Sequence, residues 1–148
     1  MIERIILSIV AIVMLILTIQ RKERLSIVLT SGLTLGILII WFGNLMLIRV
    51  GMLTYLISAL WIMLYGLKKK ELLTYEKLII SLTGLFAVIA NLFELMHYPY
   101  AYEIGLSMII PLVLFLFALV RGLIRKCELG FMVILNLEFL IRFINLWS

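Results

Sequence analysis

The sequence predicts an all-α fold, a polytopic membrane bundle of about six transmembrane helices that forms a single integral membrane domain over residues 1–148. Three observations predict it. First, 66 % of the residues are hydrophobic and only 14 % are charged, whereas a soluble domain is about half apolar and about a quarter charged. A soluble fold could not hide this much apolar surface, so lipid is expected to cover much of it. Second, the charges cut the chain into apolar runs near the roughly 20 residues that cross about 30 Å of hydrocarbon. Third, the Lys and Arg residues fall in short clusters between those runs, the distribution of membrane-flanking anchors.

The first span covers residues 5–20, drawing in 2–4, and Arg21-Lys22-Glu23-Arg24 closes it. No small-x-small cleavage site precedes Arg21, so this segment is expected to stay as a membrane helix. The second span is 25–48, closed by Arg49, and the third is 50–67, ended by Lys68-Lys69-Lys70-Glu71. Glu76 and Lys77 precede the fourth, from 78 to about 97. The turn His97-Tyr98-Pro99-Tyr100-Ala101-Tyr102-Glu103 leads to the fifth, 104–120, which Pro111 is expected to kink. The sixth runs from 127 to 147.

The loops at 21–24, 68–77 and 121–126 carry ten Lys and Arg, while the opposite side carries Arg4 and Arg49, with Arg142 close by. The positive-inside rule therefore places the three rich loops in the cytoplasm and both termini outside, in a multi-pass protein of the plasma (inner) membrane. The Tyr-rich turn then lies outside, where aromatic rings favour the interface. The net charge of +5 is thus a topology signal, and no nucleic-acid partner is expected. Asn44-Leu45, Asn91-Leu92 and Asn136-Leu137 recur at spacings of 47 and 45 residues. Val50-Gly51-Met52 and Ile104-Gly105-Leu106 open the helices that return after the first two. This suggests two-helix pseudo-repeats.

Glu94, His97, Glu138 and Arg142 are the costly residues. A central acid or base costs about 2.5–3.5 kcal/mol, and each Leu, Ile, Phe or Val returns about 0.3–0.6 kcal/mol. Two charges nearly cancel the apolar gain of the sixth span, which should need its neighbours. Glu138 and Arg142 are four apart on one helix face, and Asn145 continues the stripe. Arg49, Glu94, His97, Glu103 and Arg142 all fall in the outer half or at the outer surface. One convergent outer cluster, completed by Glu138, would neutralise most of these charges. It is either a structural pin joining the fourth and sixth spans or a proton or ion path; the pin is preferred.

Glu94-x-x-His97 has the spacing of a bundle metal motif, but the chain has one His and no Asp. No metal and no cofactor is expected. Cys127 is the only cysteine, so no intramolecular disulfide can form. Arg125 and Lys126 precede it and could lower its thiol pKa, although an inert interfacial cysteine is the preferred reading. Gly32-x-x-x-Gly36, with Ser31 and Thr34 beside it, is a close-packing pattern for membrane helices. There is no phosphate loop, nucleophile elbow or zinc-protease motif.

Residues 84–120 contain Asn91-Leu92-Phe93-Glu94-Leu95-Met96-His97-Tyr98-Pro99 and then Ile104-Gly105-Leu106. This segment resembles the transmembrane hairpin of the gliding-motility and type IX secretion motor subunit, which has a Leu-Phe-Lys-x-x-His run, an outer turn and a Gly-rich returning helix. Glu94 stands where that family has a basic residue. The stretch from Ser107 to Phe117 has no acid, where the motor hairpin carries a glutamate linked to proton flow. The resemblance implies a related hairpin in a bacterial envelope protein, and it does not imply motor function.

The expected function is that of a non-enzymatic membrane subunit or interaction protein. Its partners would be the lipid bilayer and a protein partner or a further copy of itself within the membrane. The alternative is a small transporter or channel, proton or ion linked, that uses the outer polar cluster. An enzyme acting on lipid is a third reading, since such enzymes cluster polar residues at one interface.

Overall fold

The computed structural model describes residues 2–96, 99 and 101–146, the side chains of 101 and 102 apart. Among them there are seven α-helices and no strand: α1 (Ile2–Gln20), α2 (Arg24–Ile40), α3 (Leu45–Lys68), α4 (Thr74–Leu95), α5 (Ala101–Ser107), α6 (Ile109–Val120) and α7 (Leu129–Asn145). Helices α1, α3 and α4 are long and apolar enough to cross a membrane, and so is the stretch Glu103–Val120 formed by α5 and α6 together. Helix α2 is apolar but has 17 residues, a length of about 25 Å at 1.5 Å per residue. Helix α7 also has 17 residues and carries Glu138 and Arg142.

On α1 and α2 small and hydroxylic residues are buried and many large apolar ones face out. On α1 the buried residues are Ser8, Ala11 and Thr18, whereas Ile5, Ile9, Ile12, Ile16 and Ile19 are exposed. On α2, Ser26, Thr30 and Thr34 are buried while Leu25, Val28 and Leu35 face out. Small and hydroxylic residues let membrane helices approach closely, and lipid covers the larger apolar ones. Two of the buried hydroxyls donate along their own helices, Thr18 to the Met14 carbonyl at 2.7 Å and Thr30 to the Ser26 carbonyl at 2.7 Å. Neither donor is thereby left bare in hydrocarbon.

Helix α7 is the centre of the bundle. It packs against α1, α2, α4, α5 and α6, and Phe131 meets the Tyr65 ring of α3 edge-on at 5.8 Å between centroids. Phe131, Met132, Ile134, Leu135 and Phe139 are all fully buried. The helix that carries Glu138 and Arg142 is thus enclosed by its neighbours.

The sequence-based boundaries need three corrections, and one expected feature is present. The turn between the second and third spans is Trp41-Phe42-Gly43-Asn44, not Arg49. Gly43 adopts a left-handed φ of 67°, and Asn44 caps α3 by accepting the Met46 N–H at 3.2 Å. Turn chemistry outweighs one charge near a helix end, because a long Arg side chain can reach the interface from inside the helix. Helix α4 starts at Thr74, not 78, because the Glu76 carboxylate accepts the Leu73 N–H at 3.1 Å and secures the first turn. The expected kink in the returning hairpin helix is present as an interruption at Met108, between α5 and α6. Pro111 has no N–H for the Ser107 carbonyl, so the break falls one turn ahead of it. The last helix starts at Leu129, after Gly122 with a φ of 65°, and not at Cys127; position 147 lies outside the described residues.

Candidate functional site

One polar cluster, at the bundle end away from the basic loops, is built on one face of α7 and received by α3 and α4. The i, i+4 spacing sets Arg142 over Glu138. The Arg142 Nε and Nη2 donate to Glu138 Oε1 at 2.8 and 2.6 Å. Its Nη1 lies 2.7 Å from Glu94 Oε2 on α4, and its Nη2 reaches Asn91 Oδ1 at 3.3 Å. The Asn91 amide donates to the Ala87 carbonyl at 2.9 Å, which turns its oxygen toward Arg142. The second Glu138 oxygen accepts the Tyr55 hydroxyl of α3. Glu138 is buried, whereas the Glu94 side chain is 52 % exposed. Two cavities flank the Arg142–Glu94 pair. One, of about 310 Å³, lies against α5 and is lined by Ile104, Gly105 and Met108. The other, of about 200 Å³, faces α1–α3 and reaches Tyr55 and Glu138.

The structure does not join all the expected cluster members. It brings Glu94, Glu138 and Arg142 together. Arg49 is exposed in the second turn of α3, and Glu103 is exposed on α5; neither has an ion-pair partner among the described residues. Of the five expected members that the structure describes, three converge, Arg49 and Glu103 stand apart, and Tyr55 and Asn91 are added. His97 lies outside the described residues, and with it the Glu94-x-x-His97 pair. Asn145 extends the stripe by donating to Glu3 Oε2 on α1 at 2.9 Å. Gly32 and Gly36 sit on the α2 face against α3. A Cβ on Gly32 would meet the Ser58 hydroxyl, and one on Gly36 would lie 3.0 Å from the Gly51 carbonyl.

Sequence reasoning missed a second network, at the basic-loop end. The Lys69 ammonium contacts Glu23 and the Tyr65 hydroxyl, and it lies 3.5 Å from Glu128 Oε1. The Tyr65 hydroxyl is 3.1 Å from that same oxygen. Glu128, just before α7, is fully buried, and its Oε2 has no partner among the described residues. Nearby, Arg125 lies 3.7 Å from Glu76 and 3.6 Å from Glu71. A signal was present, because Glu23 interrupts a basic run and Glu128 opens an apolar one. Counting those loops only for topology hid both.

Charge placement explains the ionisation of this end. Burial raises the Glu23 carboxyl, but the Lys69 contacts outweigh it and hold it below its ordinary value. Burial lowers Lys69, but Glu23 and Tyr65 outweigh that and hold the ammonium above its ordinary value. Burial also pushes the Cys127 thiol up, and Glu23 and Glu128 add to this. The basic neighbours thus do not lower the thiol.

A folded carboxyl held below its unfolded value adds stability that is present above the unfolded value and lost as pH falls through the folded one. The Glu23–Lys69 contribution is therefore expected to be intact above the ordinary carboxyl value of 4.5 and to fade below it. Melting curves in detergent between about pH 6 and about pH 3 should show a loss that is smaller in Lys69→Gln. An identical acid dependence in the variant would remove this link.

No protein family, curated protein or solved structure matches the chain. The class therefore rests on the fold itself, whose helices expose large apolar residues and include four of span length. These features define a polytopic α-helical membrane protein.

Proposed function

We propose that the chain is a non-enzymatic plasma-membrane protein that acts through contacts within the bilayer, as a subunit of a membrane complex or with further copies of itself. Its three basic loops face the cytoplasm and both ends lie outside. The observation that carries this reading is that the two cations drawn into the bundle are each taken up inside the chain. Arg142 is taken up by Glu94 and Glu138, and Lys69 by Glu23 and Glu128. The connections between the long helices span three to eight residues, so most of the available surface is the apolar exterior. Affinity capture in mild detergent is expected to return a stoichiometric membrane partner or a defined homo-oligomer. A monodisperse monomer that dissipates an ion gradient in vesicles would refute the proposal.

The second reading, a small proton- or ion-linked transporter, is favoured by one observation: the smaller cavity reaches Glu138 directly. The likeness to the motor-subunit hairpin supports a bacterial envelope setting for either reading. In this chain Glu94, the departure from that hairpin, is paired with Arg142.

The orientation has its own test. In a Cys127→Ser background, Lys70→Cys and Arg121→Cys should be shielded from an impermeant thiol reagent on intact cells, and Phe42→Cys should react. All three wild-type side chains are exposed, so burial does not confuse the result. Labelling at position 70 together with protection at 42 would invert the topology.

A further inference from the structure

The cavity of about 200 Å³ between α1–α3, α4 and α7 is lined by Arg4, Trp41, Tyr55, Glu94, Glu138 and Arg142, among others. We propose that it binds a zwitterionic group, the anionic end on Arg4 and the ammonium end toward the Glu94–Glu138 wall. Arg142 bears one positive charge between two carboxylates, at 2.7 Å from Glu94 and 2.6 Å from Glu138. That wall keeps one uncompensated negative charge. Glu94 is its accessible member, with half of its side chain exposed.

Arg4 supplies the opposite charge. It is exposed on the first turn of α1 and has no ion-pair partner among the described residues. Helices α1 and α4 do not pack on one another, so Arg4 and Glu94 face the cavity from separate elements. The cavity is neutral in sum but polarised. An anion or a cation alone meets one favourable wall and one repulsive wall, whereas a group carrying both charges meets two favourable ones.

Two further features fit. Trp41 and Tyr55 supply aromatic surface for an ammonium, and Trp41 is held in place by its Nε1 donating to Ser8 Oγ at 2.7 Å. The volume lies below the roughly 300–1,000 Å³ of drug-sized pockets, which limits the occupant to a small solute or a headgroup. The chemistry is shared by a soluble betaine or amino acid and by an ethanolamine phospholipid headgroup. Binding here does not depend on whether the protein works as a complex subunit, and a measurement on the isolated chain separates the two questions.

The test uses the full chain in two arms. In detergent, thermal stability is titrated with glycine betaine, proline and phosphoethanolamine, with choline and inorganic phosphate as controls that carry charge of one sign only. In nanodiscs, phosphatidylethanolamine is compared with phosphatidylglycerol. Saturable stabilisation by a zwitterion in either arm is expected, and the arm that responds identifies the source. Arg4→Gln and Glu94→Gln should each weaken it by about tenfold or more, since a charge that meets a ligand charge is lost. Arg4 is exposed, so its variant should fold even if the Glu94 variant does not. The proposal falls if no zwitterion stabilises the protein, if choline or phosphate alone does as well, or if Arg4→Gln binds unchanged.

Discussion

Gly84→Ala is expected to destabilise the bundle by about 1–3 kcal/mol, the usual range for overpacking a tight contact. A Cβ at Gly84 would lie 2.6 Å from the Met63 nitrogen and 2.8 Å from its Cα. These are backbone atoms of α3, so no side-chain rotation relieves the clash and the two helices must part. Alanine gains about 1 kcal/mol in intrinsic helix preference over glycine, and the steric term must exceed that for the loss to appear. Gly32→Ala is the internal control. Its Cβ would meet the Ser58 Oγ, which can rotate away at the cost of its bond to the Thr54 carbonyl, leaving a 3.3 Å contact with the Ser58 Cβ and no backbone clash. Gly43→Ala has open space around it but a φ of 67°, so strain alone costs about 1–2 kcal/mol there. Melting in mild detergent should therefore rank Gly84→Ala below Gly32→Ala. A Gly84→Ala protein at least as stable as the parent would show that α3 and α4 are not packed backbone to backbone.

The membrane bundle was legible because composition and charge spacing follow directly from the physics of lipid burial. The character of the last helix was legible too. The apolar residues around Glu138 and Arg142 barely offset two charges, and α7 is the helix its neighbours enclose. The first turn was misplaced because a charge is conspicuous and a Gly-Asn pair is not. Gly43 and Asn44 nonetheless decide where α2 ends and α3 begins.

The partners of the charges were less legible. Tyr55 and Tyr65 are ten residues apart on α3, and Glu128 and Glu138 are ten apart at and along α7. The two helices run antiparallel, so Tyr55 meets Glu138 and Tyr65 meets Glu128. Such a register emerges only when the helices are placed side by side. In the sequence a lone Tyr within an apolar run reads as an interfacial aromatic. Arg49 and Glu103 were grouped with the outer cluster by depth alone. Depth does not specify the face of the helix, and both lie exposed.

Arg142→Gln is expected to cause the largest loss of any substitution in the outer cluster, about 3–5 kcal/mol, because it leaves buried Glu138 without its cation. Glu138→Gln should cost less. Arg142 would still hold Glu94 at 2.7 Å, and the amide oxygen introduced at position 138 could still accept the Tyr55 hydroxyl. The double variant should recover much of the Arg142→Gln loss, since no bare charge then remains beside Tyr55. That pattern is what a structural pin between α4 and α7 requires, and unfolding of the four proteins in one detergent measures it as a coupling energy. A proton or ion path requires something different. Glu138→Gln would fold normally and abolish any ion-linked activity in vesicles, and adding Arg142→Gln would not restore it. The pin is preferred because Arg142 and Tyr55 engage both oxygens of Glu138, so a passing ion would have to break contacts that hold three helices together. A double variant no more stable than Arg142→Gln alone would disprove the coupling and leave Glu94 as the main partner of Arg142.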